Sequence, residues 1–210
     1  MMAKGTRQAL HGVAEMVLAG PQFRTSGSIE LAVLDGGFGT VARPLLRVRG
    51  TELVVDERAV PMNGLTFREV ATAADVTAGR PEGVYKEGSG LGPDDTIGID
   101  AGEAAVIERA FAWGREALLR LEPNERPILW PEHFDIAITV DEVNYGVSPG
   151  DGYLPEPYAY AGPWRTRVGA FWNAPFGAAR PLRLLPGATA VHDFFSEARD
   201  RVASDPPREP

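Results

Sequence analysis

An α+β fold built on a largely antiparallel sheet is what this 210-residue sequence predicts, and three features predict it. Strand-like segments of period two recur, and they are joined by tight Gly turns rather than by crossover helices, as antiparallel strands are. One long segment near 101–121 carries an apolar stripe at helical spacing. Further amphipathic segments of that period stand toward both ends of the chain, so terminal helices flank the sheet together with the long one.

Taken in order, residues 6 to 18 place Leu10, Val13, Ala14, Val17 and Leu18 on one helical face, and Gly20-Pro21 reads as the stop. "SIELAVL" alternates Ile29, Leu31 and Val33 against Glu30 and Ala32, and "DGGFG" follows as a turn. "LLRVRGTELVVD" reads as a hairpin whose loop is Gly50-Thr51, because Gly in the first loop position suits a type II′ turn. Leu46 and Val48 then face inward, and Arg47 and Arg49 face water. A short helix over Phe67–Ala74 precedes a Gly-rich loop from Ala78 to Gly92. In the long helix, Asp100 and Glu103 make a start like a capping box, and Ile107, Phe111, Gly114, Leu118 and Leu121 share one face. "VHDFFSEARDRVA" is the last helix. With no repeats and no linker, the expectation is a single globular domain over 1–204. Its N-terminal half runs to about residue 125, an aromatic, Pro-rich half follows, and 205–210 form a disordered tail.

Composition excludes several functions. A net charge of −8 with no basic cluster argues against nucleic acid and against an anionic membrane surface. The absence of cysteine excludes disulfides, thiol catalysis and thiolate metal sites, and fits a reducing cytosol. His11 and Glu15 interrupt the N-terminal apolar run, so it is not an export signal, and no run has the length of a membrane span. A soluble, cytoplasmic protein is expected.

Four motifs imitate chemistry. "GVSPG" fits the G-x-S-x-G nucleophile pattern, but the residue after Ser148 is Pro149, which has no N–H for an oxyanion hole, and "DGYLPEP" cannot start a helix. "GSGLG", Gly88 to Gly92, lacks phosphate-loop spacing and reads as a flexible loop, mobile over a site if one lies beneath it. "FREVATAADVT" resembles the start of a helix-turn-helix, but Gly79, Pro81, Gly83 and Gly88 forbid a recognition helix. His133, Asp135 and His192 form the ligand set H-x-D…H of a metal-dependent oxygenase, and His11 with Glu15 share a helix face at i, i+4. With only three histidines in the chain, no metal ligand is assigned.

The stretch "ILWPEHFDIAITVDEVNYGVS" carries the strongest local prediction. With Asp141-Glu142 as a two-residue turn, Val140 opposes Val143, Ile138 opposes Tyr145 and Ile136 opposes Val147, all on the apolar face. The other face pairs Thr139 with Asn144, Ala137 with Gly146 and Asp135 with Ser148. Ala137 and Gly146 leave a low floor on which a ligand or a packed helix could lie. Alternation also puts His133 beside Asp135, where the carboxylate would orient the imidazole for acid–base catalysis. Ten of the eighteen aromatic residues fall between Trp130 and Phe176, which singles out the same region.

The strings "LWPEHFDIAI", "VNYGVSPGDGYLPEPYAYAGPW" and "FWNAPFGA" resemble an uncharacterised bacterial family of hypothetical proteins that carries the same series of blocks. The resemblance covers roughly the last 80 residues closely, and the N-terminal half only through "LHGVAEMVLAGPQ". That family has no assigned activity, so the resemblance implies no substrate, cofactor or catalytic residue.

The leading expectation is a small-molecule site with His133 and Asp135 as the catalytic pair. Asn144, Ser148, Tyr158, Tyr160, Trp164 and Trp172 would line it, and Arg165 would meet an anionic group. The competing expectation is an interaction or scaffold protein whose aromatic, Pro-rich surface docks a partner, a second copy of the chain included. The oxygenase reading stands third.

Overall fold

The computed structural model describes residues 4–207. The fold is α+β, with ten strands whose described pairings are all antiparallel. The chain divides into two compact units. One is made by residues up to Arg109 together with Ile128–Phe134, the other by Ala110–Pro127 and Asp135 onward. Among the described residues, no helix is long and apolar enough to cross a membrane.

In the first unit the N-terminal helix does not stop at Gly20-Pro21. It runs as α1 (Lys4–Val13), a π-helical turn (Ala14–Ala19) and α2 (Gly20–Ser26). The reason lies in Pro21, which cannot donate a hydrogen bond back along the helix. Widening the preceding turn lets Gly20 N–H reach Glu15 O, five residues back. Met16 O accepts instead from Gly79 N–H of a distant segment, at 3.0 Å. That segment passes so close that a Cβ on Gly20 would stand 1.6 Å from Gly79 O. Glycine at 20 is therefore required by the crossing.

Six strands accompany this helix in the order β6-β1-β2-β3-β4-β5. They are β1 (Leu31–Leu34), β2 (Gly37–Thr40), β3 (Leu46–Arg49), β4 (Glu52–Val55), β5 (Arg58–Pro61) and β6 (Ile128–Trp130). The β3–β4 hairpin turns at Gly50-Thr51 as predicted, with Arg49 opposite Glu52 and Gly50 at φ 56. Leu46 and Val48 are buried and Arg49 is exposed, while Arg47 is half-buried. "DGGFG" is more than a turn: only Asp35-Gly36 reverse the chain, and Gly37–Thr40 pair as a strand. The buried Gln22 ties the helix to these strands. Its Nε2 donates to Ser28 O and Glu30 O (2.9 and 2.8 Å), and its Oε1 accepts from Val41 N–H and Ala42 N–H (2.7 and 2.9 Å). The amide thus meets its full hydrogen-bonding capacity. Helix α3 (Phe67–Ala73) begins with a complete capping box between Thr66 and Glu69, and an irregular segment leads from it to residue 100.

Helix α4 (Ala101–Leu121) starts where the sequence placed it. Asp100 Oδ1 accepts Glu103 N–H at 2.9 Å, but the reciprocal position is taken by Thr6, whose hydroxyl accepts Asp100 N–H. In the second unit, Gly114 of this helix lies against Val147 and Ile136, with Phe111, Leu118 and Leu121 buried along the same stripe. The strands there are β7 (Asp135–Val140), β8 (Val143–Ser148), β9 (Tyr158–Pro163) and β10 (Ala178–Pro181), in the order β10-β9-β8-β7. The β7–β8 register is the predicted one at every pair from Ile136↔Val147 to Val140↔Val143. Helix α5 (Ala188–Ser204) closes the unit, beginning three residues before the expected Val191. The tail expected to fray is partly held: Val168 N–H donates to Pro206 O, and Arg167 bridges to Pro207. Residues 208–210 of that tail lie outside the described residues.

Two predictions follow from these local geometries. Asp141 and Glu142 both sit at positive φ, 50° and 61°, the type I′ conformation that Asn-Gly adopts without penalty. Replacing them together, Asp141→Asn with Glu142→Gly, is expected to stabilise the protein by roughly 1 kcal/mol, read as a higher denaturant midpoint at unchanged m-value. Gln22→Leu strands two carbonyls and two N–H groups, all half-buried, and is expected to cost roughly 3 kcal/mol in the same measurement.

Candidate functional site

The acid–base pair read from the sequence does not share a strand. Phe134 sits at φ 55 in the turn that ends β6, and β7 begins at Asp135, so the alternation does not extend back to His133. That conformation is costly for a bulky residue. Burial compensates: the Phe134 ring stacks on His11 at 5.4 Å, with 9° between the planes, and meets Phe38 edge-on. His133 is exposed and lies 3.3 Å from Glu132. Asp135 is buried and accepts the Tyr160 hydroxyl.

The floor at Ala137 and Gly146 is low for the reason expected, but its occupant is a side chain of the next strand. β9 pairs Tyr160 with Gly146, and a Cβ on Gly146 would lie 2.5 Å from the Tyr160 Cζ and Oη. Only glycine leaves room for that ring to cross the strand and reach Asp135. Two registers along, Tyr158 pairs with Ser148 and donates its hydroxyl to Asp151 Oδ2 at 2.6 Å. Asp151 is fixed in turn by N–H groups of Tyr153 and Leu154 on its Oδ1. Burial pushes both tyrosine pKa values far up. Hydrogen bonding to Asp151 adds to the effect at Tyr158, and the charge of Asp135 adds to it at Tyr160.

These two rings join two others that sequence reasoning did not select. Tyr158 contacts Tyr160 at 6.2 Å between centroids, Tyr160 contacts Phe176 at 6.2 Å, Phe176 contacts Tyr153 at 5.0 Å, and Tyr153 returns to Tyr158 at 6.0 Å. Neighbouring planes are inclined at 54° to 81°, so the rings stand as walls rather than as a stack. Tyr153 and Phe176 form the outer side, 44% and 37% exposed. The signal for Tyr153 was present, since it follows the Asp151-Gly152 turn. Phe176 becomes a neighbour only through the β9–β10 pairing.

The other residues expected at the site are elsewhere in this unit. Trp164 is exposed, with Nε1 3.4 Å from Asn144 Oδ1, which also accepts from Thr139. Trp172 donates to Asp205 Oδ2 at 2.9 Å and so belongs to the tail contact. Arg165 is exposed. His192 lies on α5 beside Asp193 and Ser196. Among the described residues no three His, Asp or Glu side chains gather to hold a metal ion, so the H-x-D…H ligand set is not assembled.

The first unit holds a second polar cluster. His11 is buried, and because its Nε2 lies 2.7 Å from the carbonyl of Pro131 that nitrogen carries the proton. Burial lowers the His11 pKa below its ordinary 6.5, against an opposing pull from Glu15. Glu15, 2% exposed in the π turn, accepts Ser89 N–H on Oε2 at 2.8 Å and so holds the Gly-rich loop. The same loop brings Tyr85 into the field of Glu15. Burial first, and that charge second, drive the tyrosine pKa up. Beside the π turn opens a cleft of about 430 Å³ lined by Met16, Arg24, Thr77–Arg80, Glu82, Leu91 and Pro93. Leu91 lies in the loop that the sequence set over a possible site, but Arg24 was not selected, because Pro21 read as a stop hid it from any helix. Compared with known protein families, curated proteins and solved structures, the chain matches none.

Gly146→Ala is expected to cost roughly 1–3 kcal/mol, because the new methyl also meets Ile136 O at 2.7 Å and cannot be relieved by the tyrosine alone. Equilibrium denaturation measures it. For His11, the folded pKa lies below the unfolded one, so the unfolded chain takes up the proton first on acidification. Stability carried by neutral His11 is full above pH 6.5 and falls as pH drops through that value. The difference in unfolding free energy between pH 7.5 and 5.5 is expected to shrink in His11→Gln.

Proposed function

We propose that the protein binds a small organic cation, an alkylammonium compound, among Tyr153, Tyr158, Tyr160 and Phe176. This keeps the small-molecule reading of the sequence and its aromatic lining, with Tyr153 and Phe176 in the place of Trp164 and Trp172. The observation that carries it is the closed cycle of four inclined rings with two carboxylates behind it.

Ring faces carry negative charge in their quadrupole, and a cation within about 6 Å of a centroid gains roughly 0.5–2 kcal/mol per favourable face. Both inner hydroxyls commit their protons to Asp151 and Asp135, so neither offers a proton to an anion. The two carboxylates, Asp135 buried and Asp151 half-buried, add a negative field that favours a cation and opposes an anion. The exposed outer pair gives access from solvent. No reaction is assigned: His133 is committed to Glu132 at the surface, and Asp135 to Tyr160.

Titration calorimetry with choline and with its neutral isostere 3,3-dimethylbutanol tests the reading. Choline is expected to bind at least tenfold more tightly than the isostere, and Phe176→Ala, at an exposed position, to weaken choline at least tenfold. Equal binding of the two probes, or no binding of choline at millimolar concentration, overturns it.

A further inference from the structure

The cleft beside the π turn has a chemistry opposite to that of the aromatic cycle, and we infer that it takes an amphipathic carboxylate, a small organic acid with an apolar body. Its residues come from α2, from the segment that crosses the π turn, and from the far end of the Gly-rich loop. At about 430 Å³ it lies within the range of small-molecule sites.

Two guanidinium groups supply the anion contact, and both are held before any ligand arrives. Arg24 donates through Nη2 to Thr77 O and through Nη1 to Gly79 O, which fixes it across the crossing segment. Arg80 donates through Nη2 to Tyr85 O and Lys86 O, at 3.0 and 3.1 Å, and lies over the Tyr85 ring at 5.5 Å. These bonds use the Nη groups of Arg24 and a single nitrogen of Arg80. The Nε–H of each, and Nη1 of Arg80, are donors that no described hydrogen bond takes up. A guanidinium pinned in this way loses little side-chain entropy on meeting a carboxylate, and its fork suits a two-oxygen acceptor.

The remaining lining selects an amphipathic acid over inorganic phosphate. Met16, Leu91 and Pro93 offer apolar surface, and burying a ligand's hydrocarbon there adds the area-dependent gain that a bare anion lacks. Glu82 also lines the cleft, so the charges of its lining side chains sum to one positive. That balance suits a monoanion and disfavours a group of charge −2. The π turn is what makes the place available, since it frees Met16 O for the Gly79 N–H that brings the crossing segment against α2.

The test uses the full chain and hexanoate as probe, with hexanamide as its neutral counterpart and inorganic phosphate as the bare anion. Calorimetry is expected to show hexanoate binding at least tenfold more tightly than either. Arg24→Gln is expected to weaken hexanoate at least tenfold. Arg24 also fastens backbone, so a second variant carries the opposite sign: exposed Glu82→Gln is expected to tighten hexanoate two- to fivefold while leaving the fold intact. Phe176→Ala is expected to leave hexanoate binding unchanged, which separates this cleft from the aromatic cycle. Hexanamide binding as well as hexanoate, phosphate binding more tightly, no hexanoate binding at millimolar concentration, or no response to Glu82→Gln each overturns the inference.

Discussion

Pro21 has no N–H to give, and the first unit is organised around that deficit. A regular α-helix through this position would leave Val17 O without its donor and press the proline ring on the preceding turn. Inserting one residue as a π turn removes the clash and rotates everything after it by about 100° relative to an uninterrupted helix. That rotation sets the phase of Gln22, whose amide saturates four backbone groups at the strand edge, and of Arg24, which reaches Thr77 and Gly79. The orphaned carbonyl of Met16 is satisfied from outside the helix by Gly79. One missing proton thus fixes where the crossing segment runs and where the cleft beside it lies.

The second unit depends in the same way on a missing side chain. Gly146 lets Tyr160 cross β8, and the crossing brings a phenol to the buried carboxylate of Asp135. A buried carboxylate is tolerable only with hydrogen-bonded partners, and the tyrosine is the partner that the strand pairing can deliver. Asp151 solves the same problem with two backbone N–H groups and Tyr158. The cost of one buried and one half-buried carboxylate is met locally, and their field remains available to whatever approaches the rings.

How much of this was legible depends on whether the information was local. The β7–β8 register could be read because two alternating runs meet at a two-residue turn, and one consistent apolar face admits a single alignment. The α4 stripe and its Asp100 start could be read for the same reason. His133 was misplaced because alternation was carried through Phe134, and nothing in the letters marks a buried phenylalanine as left-handed. The occupant of the Gly146 floor was hidden because no strand was assigned to "PEPYAYAGP": Pro155 and Pro157 precede β9 and Pro163 ends it, positions where proline is tolerated. Phe176 joins the aromatic cycle only once β10 is paired. The π turn was illegible because the rule that proline ends a helix is usually right, and its exception needs a donor sixty residues away.

The chemistry of each unit follows from which protons are already committed. In the second unit the protons of the two inner tyrosines, Tyr158 and Tyr160, point at carboxylates, so the inner rings present π faces and offer no proton to an anion. In the first, Glu15 is enclosed by the loop it holds, and the cleft next to it is edged by guanidinium groups that lack any acceptor lone pair. A cation entering that cleft would meet two positive charges and one negative. An anion entering the aromatic cycle would meet the carboxylates of Asp135 and Asp151. Each place therefore rejects what the other attracts, and the rejection rests on hydrogen bonds made within the fold before any ligand is present.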